Sequence, residues 1–363
     1  MFRMSQSFKL STVLQDFVTY GDLRAFFNAQ VTTNGPLGSP FLQVNTGSAG
    51  WADIAIPNAF VGPTLFLGQR VMPCSGSGTG SVRIQFISPN SLVQFQVVIN
   101  LLMGSISVYS GGEFNNFTPL TNAVLLGTTS PNIINPSSWM FLEIGATISP
   151  TVGAVQLRVG EGPGNGTVQV LNLSNVNTQA DAASSGFAIL AYDNGGFNPG
   201  WFGITHIYLN DATGPAPWNT FLNDVIVTSL EPVANDAVQF TPVGQAANWQ
   251  NAIVVPPVPG SDYNSDAALG QQDTYTVAAL PPTVGVVYAV TTVALMGKGD
   301  SGPRSMASVL KSGATTVINA STAMATTPQA IRAPAETDPN TGFQWLPANM
   351  VAGDIKIGAH ITY

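Results

Sequence analysis

Trp139-Met140-Phe141-Leu142-Glu143-Ile144-Gly145-Ala146-Thr147-Ile148 sets Met140, Leu142, Ile144 and Ile148 on one parity, with Glu143 and Thr147 on the other. A period of two marks a strand with one buried face. Ser149-Pro150-Thr151-Val152-Gly153 breaks the alternation, and Val155, Leu157 and Val159 resume it opposite Gln156 and Arg158, which predicts the return strand of a hairpin. Gly160-Glu161-Gly162-Pro163-Gly164-Asn165-Gly166 turns the chain again, into Thr167-Val168-Gln169-Val170-Leu171-Asn172-Leu173. The run closes on Trp201-Phe202-Gly203-Ile204-Thr205-His206-Ile207-Tyr208-Leu209-Asn210-Asp211. Strands in such a series need a second sheet over their apolar face, so the stretch predicts a β-sandwich.

Upstream the same period recurs. Phe41 to Val44 and Thr64 to Met72 read as strands, and Cys74 to Gly80 as a loop. Val82, Ile84 and Phe86 alternate with Arg83 and Gln85, while Val93, Phe95, Val97, Ile99 and Leu101 alternate with Gln94, Gln96 and Asn100, which predicts a half-buried strand. Met1 to about Gln30 is less regular: Ser11 to Phe17 suits a short helix and Asp22 to Phe27 a further turn, in an arm that either docks on a neighbouring molecule or packs across the sandwich. No stretch sustains a helical period, so the class is all-β.

Downstream, Ala212-Thr213-Gly214-Pro215-Ala216-Pro217 is a rigid connector and Asp224 to Leu230 reads as a strand at the edge of the first domain. The domains are therefore placed at 1–30, 31–232 and 233–363. In the last of these, Val286 to Met296 is a β-branched run that the Lys298 to Pro303 turn joins to Arg304 to Lys311 as a hairpin. Ile355, Ile357, Ala359 and Ile361 alternate with Lys356, His360 and Thr362, a terminal strand to be paired within the domain or with a neighbouring subunit.

The 363 residues carry 11 Lys+Arg and 19 Asp+Glu, a net charge of -8, which argues against a nucleic-acid partner because phosphate contact needs clustered cations. Charged residues make up only 8% of the chain, against about 25% in ordinary globular proteins. Either the surface is kept wet by Ser, Thr, Asn and Gln, or much of it is covered by other subunits. The single cysteine, Cys74, has no partner for an internal disulfide and reads as a core residue. Residues 1–10 lack an apolar core of signal-peptide length, so Sec export is not expected, and Val284 to Met296 falls short of the roughly 20 residues that span a bilayer.

The Trp-led hairpin, the stretch Val170-Leu171-Asn172-Leu173-Ser174-Asn175-Val176-Asn177-Thr178-Gln179 and the strand His206 to Gly214 resemble the concanavalin-type lectin/glucanase (LamG-like) sandwich that recurs in structural proteins of tailed bacteriophages. Gln272 to Thr276, Val287 to Val290, Lys298 to Arg304, Lys311 to Gly313 and Asp338 to Gly342 are similar to the second domain of those proteins. The resemblance implies a concanavalin-like (jelly-roll) β-sandwich followed by a smaller β-sandwich domain. It further implies a non-enzymatic virion component: a tail fibre or tail-associated accessory protein in contact with the host surface, or else a capsid decoration or head fibre protein. Such a protein is made in the host cytoplasm, and its partners are other virion proteins, copies of itself and a host-surface glycan, with no membrane insertion. A free carbohydrate-binding lectin and a glycoside hydrolase are the rival readings.

Chemistry has little to work with. Glycoside hydrolysis needs two carboxylates flanking the scissile bond, and here Glu143 and Glu161 stand alone in sequence while Asp211 closes a strand and Asp53 sits in Trp-Ala-Asp-Ile. The two histidines, His206 and His360, fall in different domains, no His/Cys spacing suits a metal, and Gly76 to Gly80 lacks the Lys-Ser/Thr of a phosphate loop. No catalytic residue, metal or cofactor is assigned. The stretch Tyr192 to Trp201 is the one candidate ligand-binding loop, with Tyr192, Asp193, Asn194, Asn198 and Trp201 supplying the acid, amides and rings that sugars or Ca²⁺ use; it has one acid where the calcium loop of plant lectins has two. A glycine-rich hairpin turn with Trp201 in the core is the bland alternative.

Overall fold

The computed structural model describes residues 8–9, 23–27, 29–32, 41–45, 51–55, 62–75, 80–113, 122–136, 138–160, 166–194, 200–212, 216–253, 261–282, 284–351 and 353–363. The chain divides into two compact units, with the break between Val227 and Thr228. The first unit holds β1 (Phe8–Lys9), β2 (Leu23–Phe27), β3 (Ala29–Thr32), β4 (Phe41–Asn45), β5 (Trp51–Ala55), β6 (Thr64–Ser75), β7 (Ser81–Ile87) and β8 (Val93–Asn100). It continues with β9 (Ser105–Gly111), β10 (Ala123–Thr128), β11 (Met140–Thr147), β12 (Gly153–Gly160), β13 (Val168–Val176), β14 (Ile189–Asn194) and β15 (Gly200–Asp211).

Two antiparallel sheets form a jelly-roll sandwich. The first runs β13-β12-β11-β6-β15-β4-β3, with β1 also paired to β15, and the second runs β10-β9-β8-β7-β14-β5-β2. Leu142, Ile144, Val155, Leu157, Phe202 and Ile204 of the first sheet meet Ile84, Phe86, Phe95, Val97, Leu190 and Tyr192 of the second in one continuous core. The parity read from Met140 to Ile148 is the parity that the core uses. Along β15 it changes hands: Phe202 and Ile204 point inward, then Ile207 and Leu209, because a bulge between Thr205 and Tyr208 places His206 at a positive φ of 49°. The bulge leaves His206 and Tyr208 on the outer face.

The second unit holds β16 (Pro232–Ala237), β17 (Thr241–Val243), a short helix α1 (Asn248–Ala252), β18 (Tyr263–Ser265), β19 (Gln272–Val277) and β20 (Val290–Met296). Beyond them come β21 (Ser305–Ser312), β22 (Thr315–Ile318), β23 (Thr322–Ala323), β24 (Gln329–Ala335) and β25 (Ile355–Ile361). A six-stranded sheet, β16-β19-β25-β21-β22 with β23 on β21, faces the separate ladder β20-β24. Val277, Leu310, Trp345 and Ile355 pack in one cluster between them, and Met296, Met324 and Ile331 in another. No helix among the described residues is long and apolar enough to cross a membrane.

Several expectations change. Leu23–Phe27 is a strand paired to β5, and with β1 and β3 it makes the described part of 1–30 a contributor to both sheets; Ser11 to Phe17 lies outside the described residues. The strand β8 is buried on both faces, since Gln94 and Gln96 are covered as fully as Phe95 and Val97. The two strands β14 and β15 are not a hairpin: they belong to opposite sheets. Likewise β20 and β21 bridge the two layers of the second unit, with Thr292 Oγ1 donating to Ser308 Oγ at 3.2 Å between them. The terminal strand β25 is paired on both edges within its own unit, to β19 and β21. Asp224 to Leu230 forms no strand.

Close approach fixes one glycine. A Cβ on Gly68 of β6 would run into the ring of Tyr208, which lies fully buried across the neighbouring strand. Replacing Gly68 by alanine forces that ring or the strand to move, and overpacking of this kind costs about 1–3 kcal/mol. Urea unfolding of Gly68→Ala is expected to show that loss in midpoint with an unchanged slope.

Candidate functional site

The residues of the candidate loop part company. Tyr192 lies fully buried between the sheets and its hydroxyl donates to Gln69 Oε1, so it belongs to the interior and not to a loop tip. Burial holds its phenol well above the ordinary range, which keeps it neutral. Asp193 follows in the ladder opposite Arg83 on one side and Trp51 on the other, and Asn194 pairs with Val82. Asn198 lies outside the described residues. Trp201 stands on the other sheet, half-buried, its ring centroid 5.3 Å from that of Phe41, which in turn meets Trp139 edge-on at 5.1 Å. These rings close over Gly203, where a Cβ would come within 2.7 Å of Trp139 and 2.9 Å of Trp201. The structure thus brings Asp193 beside Arg83 and Trp51 in register and sends Tyr192 and Trp201 elsewhere.

Acids that look isolated in sequence are gathered by the fold. Glu143 projects from the outer face of the first sheet and is fully buried. One carboxylate oxygen accepts from the Tyr208 hydroxyl and from the Asn223 backbone N–H at 2.7 Å; the other accepts from the Thr167 hydroxyl, and Arg158 stands 3.9 Å away. Burial, then the charge of Glu143, lifts the Tyr208 phenol well above its usual range. The cover over Glu143 is the irregular segment 216–227, which buries Trp218, Leu222 and Val225 and lays Phe221 edge-on against Phe66 at 4.9 Å. Arg70 of β6, itself buried, pairs with Asp224 of this strap and lies 5.7 Å over the Phe141 ring. Asn210 Nδ2 donates to the Thr220 carbonyl at 2.6 Å, and His206 Nδ1 accepts the Val227 N–H at 3.2 Å.

The second sheet is roofed in a similar way. Gln94 donates to the Ser184 carbonyl at 2.6 Å and accepts from the Asp181 N–H at 3.0 Å, Gln85 donates to the Glu113 carbonyl at 3.1 Å, and Gln96 to that of Gly111 at 2.9 Å. In the second unit a buried carboxylate again ties loops together: Asp273 accepts from the N–H groups of Gln239 and Phe240, from Asn248 Nδ2 and from the Tyr275 hydroxyl, all at 2.7–2.9 Å. Alternation places Glu143, Gln85, Gln94 and Gln96 on the non-core parity and so suggests solvent; that the chain folds back over that parity is invisible to a period-two reading. Among the described residues no three His, Cys, Asp or Glu side chains group to hold a metal ion.

No protein-family model matches the chain, and no curated protein matches it. Among solved structures it is similar to a lectin UEA-II complexed with galactose (8% identity, 56% of this chain and 98% of that one, TM-score 0.38). It is also similar to a legume lectin-like domain from Entamoeba histolytica (11%, 57% and 96%, TM-score 0.37) and to the Ca²⁺/mannose-bound VIP36 exoplasmic/lumenal domain (9%, 56% and 91%, TM-score 0.36).

Two outcomes follow from the strap. Truncating Glu143 to alanine strands three donors and Arg158, and loss of one partner from a buried charged cluster costs about 3–5 kcal/mol. Hydrogen exchange of Glu143→Ala is expected to show amides of 222–227 opening ahead of the core strands. His206 is held down to about 4 by burial and then by Arg70, so it stays neutral in the fold while the unfolded chain takes up a proton near 6.5. Between those values the unfolded state binds more protons, so His206 makes stability fall as pH drops from about 6.5 to about 4, by up to roughly 3 kcal/mol. The variant His206→Asn, which tolerates positive φ and keeps an acceptor, is expected to flatten that slope in denaturant melts across this window.

Proposed function

We propose that this chain is a non-enzymatic structural protein of a tailed-bacteriophage particle, present in several copies as a tail fibre or tail-associated accessory protein that contacts the host surface. One observation carries the reading. Eight charged residues of the first unit have described exposure: Arg70, Arg83, Glu113, Glu143, Arg158, Asp181, Asp211 and Asp224. Five of them are buried, three are intermediate and none is exposed. In the first unit charge is spent on holding loops to the sheets, and none of these eight side chains is fully exposed, whereas the second unit exposes Glu231, Asp236, Asp266, Asp300 and Asp354. Neutral, partly apolar surface is what lasting subunit contacts use, because desolvating a charge there is costly. Engagement of Glu143, Asp181 and Asp224 with their own loops leaves these acids to structural work and supports the non-enzymatic reading.

A second reading rests on a different observation: the ladder pairs Asp193 with Arg83 on one side and Trp51 on the other, and an acid and a ring are residue types of a sugar site. On that reading the chain is a free carbohydrate-binding lectin. Mass spectrometry of purified phage particles together with a glycan array on the isolated chain separates the two. The chain in stoichiometric amounts on particles is the expected result. Its absence from them, with saccharide binding by the isolated chain, would replace the first reading by the second.

A further inference from the structure

At one side of the sandwich the two sheets end on β10 and β13, each the last strand of its sheet. They lie one over the other there, for a Cβ on Gly127 would touch Leu173 Cδ2 at 2.7 Å. Ala123-Val124-Leu125-Leu126-Gly127-Thr128 and Val168-Gln169-Val170-Leu171-Asn172-Leu173-Ser174-Asn175-Val176 contain no charged residue. Leu126, Val170, Leu171 and Leu173 are half-buried against the core, while Val124, Leu125 and Val168 remain 64%, 55% and 71% exposed. Natural edges are guarded by lysine, proline or bulges. Here bulges interrupt both ladders, at Leu126 in one and at Val170 and Asn175 in the other, so the wall is unsuited to adding a strand and suited to packing side chains.

We propose that this wall is where two copies of the chain meet, face to face across a twofold axis. The occupant follows from charge and size. At a net charge of -8 two copies repel in general, and a charge-free wall is where they approach without opposing like charges. A twofold contact requires a patch that complements itself, which an uncharged surface of Val124, Leu125 and Val168 set among the exposed Thr128, Gln169, Asn172, Ser174 and Asn175 does. Nine strand residues span about 30 Å, and two sheets about 10 Å apart with their side chains give a depth of about 20 Å, hence on the order of 600 Å² per copy, close to the roughly 800 Å² per partner of a standard interface. This assignment rests on the multi-copy reading above and gives it a surface.

Light scattering and sedimentation of the full chain over a wide concentration range test it. The wild type is expected to dimerise and the double variant Leu125→Lys with Val168→Lys to be monomeric, with a dimer dissociation constant raised at least tenfold and a melting temperature equal to the wild type's at concentrations where both are monomeric. A milder pair, Val124→Ser with Val168→Thr, is expected to weaken the dimer in the same direction should the lysines disturb folding. Ile318→Lys, an exposed residue of the second unit, is expected to change nothing. A dimer indifferent to both pairs, or sensitive only to Ile318→Lys, overturns the wall while leaving the multi-copy reading in place. A wild type that stays monomeric overturns the wall, and particle mass spectrometry then decides the broader reading separately.

Discussion

A carboxylate with no access to water must find its hydrogen bonds within the protein, and the first unit is arranged around how Glu143 finds them. Its donors come from four places in sequence: Tyr208 on β15, Thr167 just before β13, the Asn223 backbone and, more distantly, Arg158 on β12. The β11–β12–β13 meander brings Glu143, Arg158 and Thr167 together locally, whereas Tyr208 and the Asn223 amide come from β15 and the segment beyond it. The strap is held in turn by Tyr208 and Glu143, which receive the Leu222 and Asn223 amides. Sheet order, bulge and strap are therefore mutually dependent, and Gly68 is the small residue that lets the Tyr208 ring reach across β6.

The same economy runs through the rest of the chain. A two-sheet sandwich has four faces, and ordinarily two of them are wet. Here parts of both outer faces are roofed by irregular segments, and the roofs are tied down by amides on the second sheet and by ionised groups on the first. Few charges are available, and several of those described are used inside. On the first unit none of the eight charged side chains with described exposure is fully exposed, while the second unit keeps acids such as Asp236, Asp266 and Asp300 at its surface.

Much of the architecture could be read from residues. Met140 to Ile148 announces both the strand and its core face, and the pairing of β11 with β12 follows from the break at Ser149 to Gly153. What could not be read has physical causes. Ile204 and Ile207 are three apart, the trace of a bulge, but a period-two template passes over it because each half alternates correctly on its own. Asp224 to Leu230 has the composition of a strand, yet its polar groups bond to side chains of the sheet beneath in place of a ladder partner. The placement of the candidate loop's ends was hidden for a related reason: Tyr192 and Trp201 are close in sequence, but the jelly roll sends β14 and β15 to opposite layers.

The strap has a mechanical side. Covalently it is the last segment of the first unit, and Thr228 opens the second. Followed back from Val227, the strap is fastened to the first sheet at His206, then by the Arg70–Asp224 pair, then at Glu143, so a pull on the chain beyond Thr228 reaches these side-chain ties in that order along the backbone.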